Sequence, residues 1–255
     1  MAPLAPALAG LLALPLIFSQ PAAAADPAAT GTALTSEQAK AVEDLVRQYI
    51  LDHPETIIES MQNFQIRQQL AEQEAAAAAL VTYREEVKND PSSPVAGNPE
   101  GDVTVVEFFD YRCGYCKRVF PTIQDLLKSD GNVRYVFKEM PILGPDSVTA
   151  SRAALAVWSL QPEKYFEFHA ALMEAPGTLD EEQVLATAEK LGLDPDELKT
   201  AMAKPEIQET IERNLALAQA LAIQGTPAFI VGDVLTPGAI DGDQLRELVA
   251  AARKS

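Results

Sequence analysis

Phe108-Phe109-Asp110-Tyr111-Arg112-Cys113-Gly114-Tyr115-Cys116-Lys117 is the stretch on which the reading of this chain turns. It holds both of the cysteines found in 255 residues. Val103 to Phe109 (VTVVEFF) reads as a buried strand, and Cys116 to Ser129 has helical periodicity. The cysteines therefore sit where a strand gives way to a helix. Two intervening residues let the first helical turn bring the sulfurs together. Cys113 then lies at the helix N-terminus, where unpaired N–H groups and the macrodipole favour a thiolate. A lowered pKa makes that sulfur a better nucleophile and leaving group near neutral pH. Cys116, one turn deeper, is the candidate resolving thiol. A disulfide closing so short a loop restricts the unfolded chain too little to be a useful staple. A zinc site needs a second ligand pair, which is missing. The motif reads as a redox dithiol.

Working outward, Val133 to Lys138 (VRYVFK) reads as a second strand. Ser147 to Leu221 is helical in several pieces, punctuated by Pro162, Pro176-Gly177, Gly192 and Pro205. Ala228 to Val231 returns to strand, and Leu245 to Ala251 closes with a helix. This order is an α/β pattern. Upstream, Thr35 and Gln38 can form a capping box ahead of Val42, Leu45, Val46, Tyr49 and Ile50 at helical spacing. Asp52-His53-Pro54 interrupts that helix, and Ile57, Ile58, Met61 and Phe64 form the stripe of a second. Arg67 to Ala79 is Gln, Glu and Ala, strong helix formers with little to bury, as in a stalk or self-association element. Asn89-Asp90-Pro91-Ser92-Ser93-Pro94 ends it and places a domain boundary near residue 90.

The formal charge of −17 makes a surface that repels phosphate backbones, so nucleic acid is a poor partner. No glycine-rich phosphate loop is present. Residues 1–25 contain no charged side chain, and Leu8 to Phe18 is almost unbroken apolar sequence. That run is about half the length of a membrane span, and Ala23-Ala24-Ala25 suits a signal peptidase. A cleavable export signal ending near Ala25 is the expectation, although no Lys or Arg precedes the run. Residues 26–90 then form the helical segment and linker, and residues 91–255 the catalytic domain.

The motif Phe-Phe-Asp-Tyr-x-Cys-Gly-Tyr-Cys resembles the active site of thioredoxin-fold oxidoreductases of the DsbA class, over about two-thirds of the chain. Gly225-Thr226-Pro227-Ala228-Phe229 is a second match. The resemblance implies that Pro227 is cis and that Thr226 and Pro227 dock the substrate backbone opposite Cys113 and Cys116. Taken alone, a Thr-Pro also suits ordinary entry into a strand. Pro121 echoes the kinking proline of the first thioredoxin helix. Glu107 and Lys138, both on expected strands, could form a charged pair beneath the dithiol. Family members use such buried charges to relay protons to the resolving cysteine. The block at about 145–222 matches the helical insertion of the class, with His169 expected to be structural. Arg47-Gln48-Tyr49-Ile50-Leu51-Asp52-His53-Pro54-Glu55 resembles the N-terminal segment of ScsC proteins, which implies self-association as a trimer. Packing of these helices against the chain's own catalytic domain is the alternative.

The fold class implied is thioredoxin-like α/β with a helical insertion, behind an N-terminal helical stalk. The function implied is thiol–disulfide exchange on protein substrates in a periplasm, with isomerase or reductase activity favoured. No organic cofactor and no metal is needed, because the dithiol holds the electrons. A membrane partner of DsbD or DsbB type would reset it. A monomeric DsbA-like oxidase is the alternative. Another is a non-enzymatic copper-binding envelope protein, since two thiolates can hold Cu(I).

Overall fold

The computed structural model describes residues 34–254. The expected signal peptide at residues 1–25 lies outside the described residues. The chain divides into two compact units, Met1–Ser60 and Met61–Ser255. Helix α1 (Ser36–Asp52) opens with the expected capping box between Thr35 and Gln38, and His53 caps its C-terminus. Helix α2 (Glu55–Thr82) runs without a break through the Gln/Glu/Ala stretch. Neither helix has a buried side chain. The apolar residues expected to form their stripes, including Val42, Leu45, Val46, Tyr49, Ile58, Met61 and Phe64, are exposed.

The second unit is built on a five-stranded sheet in the order β1-β3-β2-β4-β5. Its strands are β1 (Val95–Gly97), β2 (Val103–Phe109), β3 (Val133–Glu139), β4 (Ala228–Val231) and β5 (Val234–Pro237). β2 and β3 are parallel, joined by the crossover helix α4 (Gly114–Ser129), and every other pairing is antiparallel. The helical insertion comprises α5 (Pro145–Leu160), α6 (Tyr165–Glu174), α7 (Glu181–Lys190), α8 (Pro195–Met202) and α9 (Pro205–Ala220). Proline opens α5, α8 and α9, where its missing N–H costs nothing. Asp180 and Asp194 cap α7 and α8 through their carboxylates. Helix α10 (Gly242–Ala252) closes the chain behind the Asp241 cap.

Because side chains alternate across a sheet, β2 and β3 feed two separate cores. One face carries Val105, Phe109, Tyr135, Phe137 and Phe229, packed with residues of α4, α5, α6 and α10. The other carries Val106, Phe108, Val136 and Ile230, packed with Leu217, Ala218 and Val87. Val87 belongs to α3 (Arg84–Lys88) and is 1% exposed. Residues 84–90 are thus part of the catalytic unit, and the boundary expected near residue 90 lies too far along the chain. A single buried valine among charged helix formers gives no periodic signal.

The same alternation corrects the expected pairing of Glu107 with Lys138. In the β2/β3 register Glu107 lies beside Phe137, and Lys138 beside Phe108. The two charges therefore point to opposite faces of the sheet. Lys138 is fully buried on the second face, where its Nζ donates to the Glu86 carbonyl at 2.6 Å and to Asp90 Oδ2 at 3.1 Å. It anchors the segment after α3 rather than serving the dithiol.

Candidate active site

Cys113 occupies the N-cap of α4 with extended backbone angles, φ −71° and ψ 115°. Its own N–H donates to the Asp110 carbonyl at 3.0 Å, which closes the turn leading out of β2. Its sulfur lies 3.2 Å from the Thr226 carbonyl, to which it donates while it is protonated. Thr226 precedes Pro227, and the bond between them is cis, as the resemblance implied. The structure thus brings Cys113, Cys116, Thr226 and Pro227 together from the two ends of a long insertion. Cys113 is 6% exposed, Cys116 is fully buried, and no disulfide joins them.

The two thiols are driven apart in acidity. A hydrogen bond from the Cys116 thiol outweighs burial and pulls Cys113 down to about 5. The Thr226 side chain and the N–H groups of Cys116 and Tyr115 act in the same direction. Cys116 moves the other way, held protonated by that same hydrogen bond, by burial and by the nearby Glu107 charge. At neutral pH Cys113 is the thiolate and Cys116 the thiol, the division of labour that exchange chemistry requires.

Glu107 lies on the dithiol side of the sheet. Its Oε2 accepts from the Tyr135 hydroxyl at 2.8 Å, and its Oε1 has no hydrogen-bond partner among the described residues. Burial raises its pKa to about 8, Tyr135 opposes that rise, and the Cys113 charge adds to it. Tyr135 is a site residue that sequence reasoning missed. Only the strand register, which puts it two residues from Phe137, could have pointed to it.

Two further residues of the motif fix the site's frame. Asp110 is fully buried and accepts four hydrogen bonds: from Arg112 N, from Ser147 Oγ, and from the backbone N–H groups of Ile142 and Leu143. Lys117 Nζ donates to the carbonyls of Leu172, Met173 and Ala175, at 3.3, 3.0 and 3.0 Å. It satisfies the C-terminal carbonyls of α6 and ties the catalytic helix to the insertion. His169 is buried among aromatic rings, with Nδ1 2.9 Å from the Tyr111 hydroxyl, and burial lowers its pKa to about 3. It is a neutral core residue, as expected. Among the described residues no group of three or more His, Cys, Asp or Glu side chains is placed to hold a metal ion.

A family model of the DSBA-like thioredoxin domain matches residues 104–250, from β2 to α10. The chain belongs to the DSBA-like thioredoxin family. A second model, the copper resistance protein ScsC N-terminal domain, matches residues 38–71. A thioredoxin-like oxidoreductase from Silicibacter pomeroyi DSS-3 is 49% identical, with a TM-score of 0.65, over 68% of this chain and 98% of that one. A linker-deletion mutant of ScsC from Proteus mirabilis is 30% identical, with a TM-score of 0.66, over 88% of this chain and 98% of that one. Disulfide bond formation protein D of Bacillus subtilis is 32% identical over 64% of this chain and 79% of its own length. With the geometry above, this membership makes the chain a thiol–disulfide oxidoreductase of the DsbA and ScsC type.

Proposed function

We propose that the chain is an exported protein disulfide isomerase or reductase in which Cys113 is the attacking thiol and Cys116 the resolving one. The observation that carries this reading is the opposed acidity of two sulfurs on one helical turn, with Cys113 near 5. The Cys113 thiolate attacks a substrate disulfide. A new S–S bond forms to one substrate sulfur, and the other leaves as a thiolate with the bonding pair. A substrate thiolate can then attack the mixed disulfide and regenerate Cys113, which is isomerisation. Alternatively, Cys116 attacks Cys113 Sγ and releases the substrate reduced by two electrons.

Glu107 takes the Cys116 proton in this scheme only after releasing its own to solvent, because burial keeps it protonated below about pH 8. Forming the mixed disulfide removes the Cys113 charge, which is one cause of the raised pKa of Glu107 and of Cys116 alike. Both groups then ionise more readily at the step that needs a base. Thr226 and Pro227 would hold the substrate backbone beside Cys113.

Three features support the isomerase emphasis. The N-terminal helices match the ScsC N-terminal domain and carry exposed apolar residues. Second and third copies of this chain are the partners that would cover them, placing several dithiols around one substrate. Gly-Tyr between the cysteines and Thr before Pro227 are the other features. Export rests on residues 1–25, and a membrane reductase of DsbD type would keep the dithiol reduced.

The test is reactivation of an enzyme carrying scrambled disulfides. The mature chain is compared with a version beginning at residue 83, which keeps Val87 and Asp90 in place. Reactivation by the mature chain and not by the shortened one is expected. Oxidation of a reduced substrate by both, with no reactivation by either, would instead make it a DsbA-like oxidase.

A further inference from the structure

Asn214 lies within α9 and is 1% exposed, yet neither its Oδ1 nor its Nδ2 has a hydrogen-bond partner among the described residues. A donor and an acceptor buried without partners cost stability, and an apolar side chain of similar shape would not. Leucine, which has that shape, is also the better helix former. Three residues further on, Leu217 packs into the second core in just this way. The carboxamide of Asn214 thus lacks a partner that neither the helix nor the core supplies.

Asn214 lines a cavity of about 530 Å³. Sites for small molecules are of this size, roughly 300–1,000 Å³. One wall comes from the segment between Tyr83 and Pro91, and the other from Asn214, Ala216, Leu217 and Ala220 of α9. Lys138 of β3 adds a third side, so the cavity belongs to the sheet face opposite Glu107. The charged groups along it already have partners. Lys138 Nζ donates to Asp90 Oδ2 at 3.1 Å, and Asn89 Nδ2 donates to Glu85 Oε2 at 2.8 Å. Arg213 donates to Thr210 Oγ1 at 2.9 Å and to Ser92 Oγ at 3.1 Å. Glu86 is exposed to solvent. What is left unanswered is one buried carboxamide beside the apolar surface of Ala216, Leu217 and Ala220.

We propose that this cavity is a binding site for a neutral compound that carries an apolar group and a free amide edge, with an N–H and a C=O side by side. A carboxamide offers its donor and its acceptor along one edge, and a second amide edge pairs with both at once. A trans peptide bond points its N–H and C=O in opposite directions and can answer only one of them. The matching groups are a primary carboxamide, as at the end of a Gln or Asn side chain, and a lactam, whose ring holds the amide cis. Ala216 and Ala220, small residues one turn apart, leave room for the apolar part. A charged ligand would enter with no free counter-charge to meet it. Occupancy of this site is independent of exchange at Cys113, which takes place on the other face of the sheet.

The experiment titrates the intact, reduced mature chain with isovaleramide, with valerolactam and with the N,N-dimethyl derivative of isovaleramide, which cannot donate. Binding is read by nuclear magnetic resonance at the Asn214 side-chain amide and the Leu217 backbone amide. At least one of the first two compounds should shift both signals saturably and bind about fivefold more tightly than the dimethyl derivative. Preference between the two distinguishes a primary carboxamide from a lactam as the natural group. In Asn214→Leu the advantage over the dimethyl derivative should fall to one, read at Leu217. Ala216→Leu, at an exposed helical position, narrows the cavity and should abolish binding. Both variants should keep the thermal midpoint and the Cys113 alkylation rate of the natural chain, which shows that the fold and the dithiol are intact. No saturable binding of either amide, equal affinity for the dimethyl derivative, or a selectivity that survives Asn214→Leu would overturn the site.

Discussion

Cys113 and Cys116 share one hydrogen bond, and it acts on them in opposite senses. It lowers the first thiol and raises the second, so each sulfur's acidity depends on the other's state. Glu107 is the third member of this set. Its folded pKa, about 8, is raised above the usual carboxylate range near 4.5. The stability it contributes by staying protonated is therefore complete below about pH 4.5 and lost as the pH rises through 8, when an ionised carboxylate must be held in the core. Glu107→Gln removes that dependence. The thermal midpoint of the natural chain relative to the variant should fall between pH 5 and 8.5, by an amount on the order of a few kcal/mol in stability. Scanning calorimetry across that range is the check, and a constant difference would contradict the placement of Glu107. The dithiol was legible from a short motif with its own chemical logic, and Thr226 and Pro227 from the resemblance to the DsbA class, since a Thr-Pro alone also suits ordinary entry into a strand. Tyr135 and the clamp made by Asp110 were not, because their partners are set by the sheet register and by a loop thirty residues away.

At the level of elements, the register of β2 on β3 decides what each buried charge can do. A one-residue difference in parity sends Glu107 towards α4 and Lys138 towards α3 and α9. Both strands could be read from their apolar runs, but runs buried on both faces carry no alternation that fixes which side each residue takes. Strands β1 and β5, of three and four residues, escaped sequence reading because they are too short and too exposed for a pattern. Burial lowers the pKa of Lys138, and Asp90 opposes that fall. Its work is to hold the segment after α3 against the sheet. Lys138→Met keeps the stem and deletes the charge, leaving the partly buried Asp90 unpaired at a cost of about 2–4 kcal/mol. Urea unfolding should show that loss, whereas the reactivity of Cys113, on the other face, should keep its pH midpoint. A midpoint that moved with Lys138 would restore the expectation that the structure removed.

Across the whole molecule, a strand, a helix N-terminus and a loop more than a hundred residues further on converge on one sulfur. The helical insertion separates Thr226 from Cys113 in sequence, yet the Thr226 carbonyl lies 3.2 Å from the thiol. The order of strands and helices was enough to suggest an α/β pattern, and the resemblance to the DsbA class supplied the thioredoxin-like core with its helical insertion. The extent of the catalytic unit was less legible, because α3 looks like the end of a stalk and packs like part of a core. All these elements serve one chemical state, a stable thiolate at Cys113 beside a protonated Cys116. The most direct test is the pH dependence of iodoacetamide alkylation of Cys113 in the intact reduced chain, read by mass spectrometry. The rate should be flat from pH 8 down to about 6.5 and fall through a midpoint near 5 as the thiolate takes up its proton. A midpoint near 9, the ordinary value of a cysteine, would contradict the account.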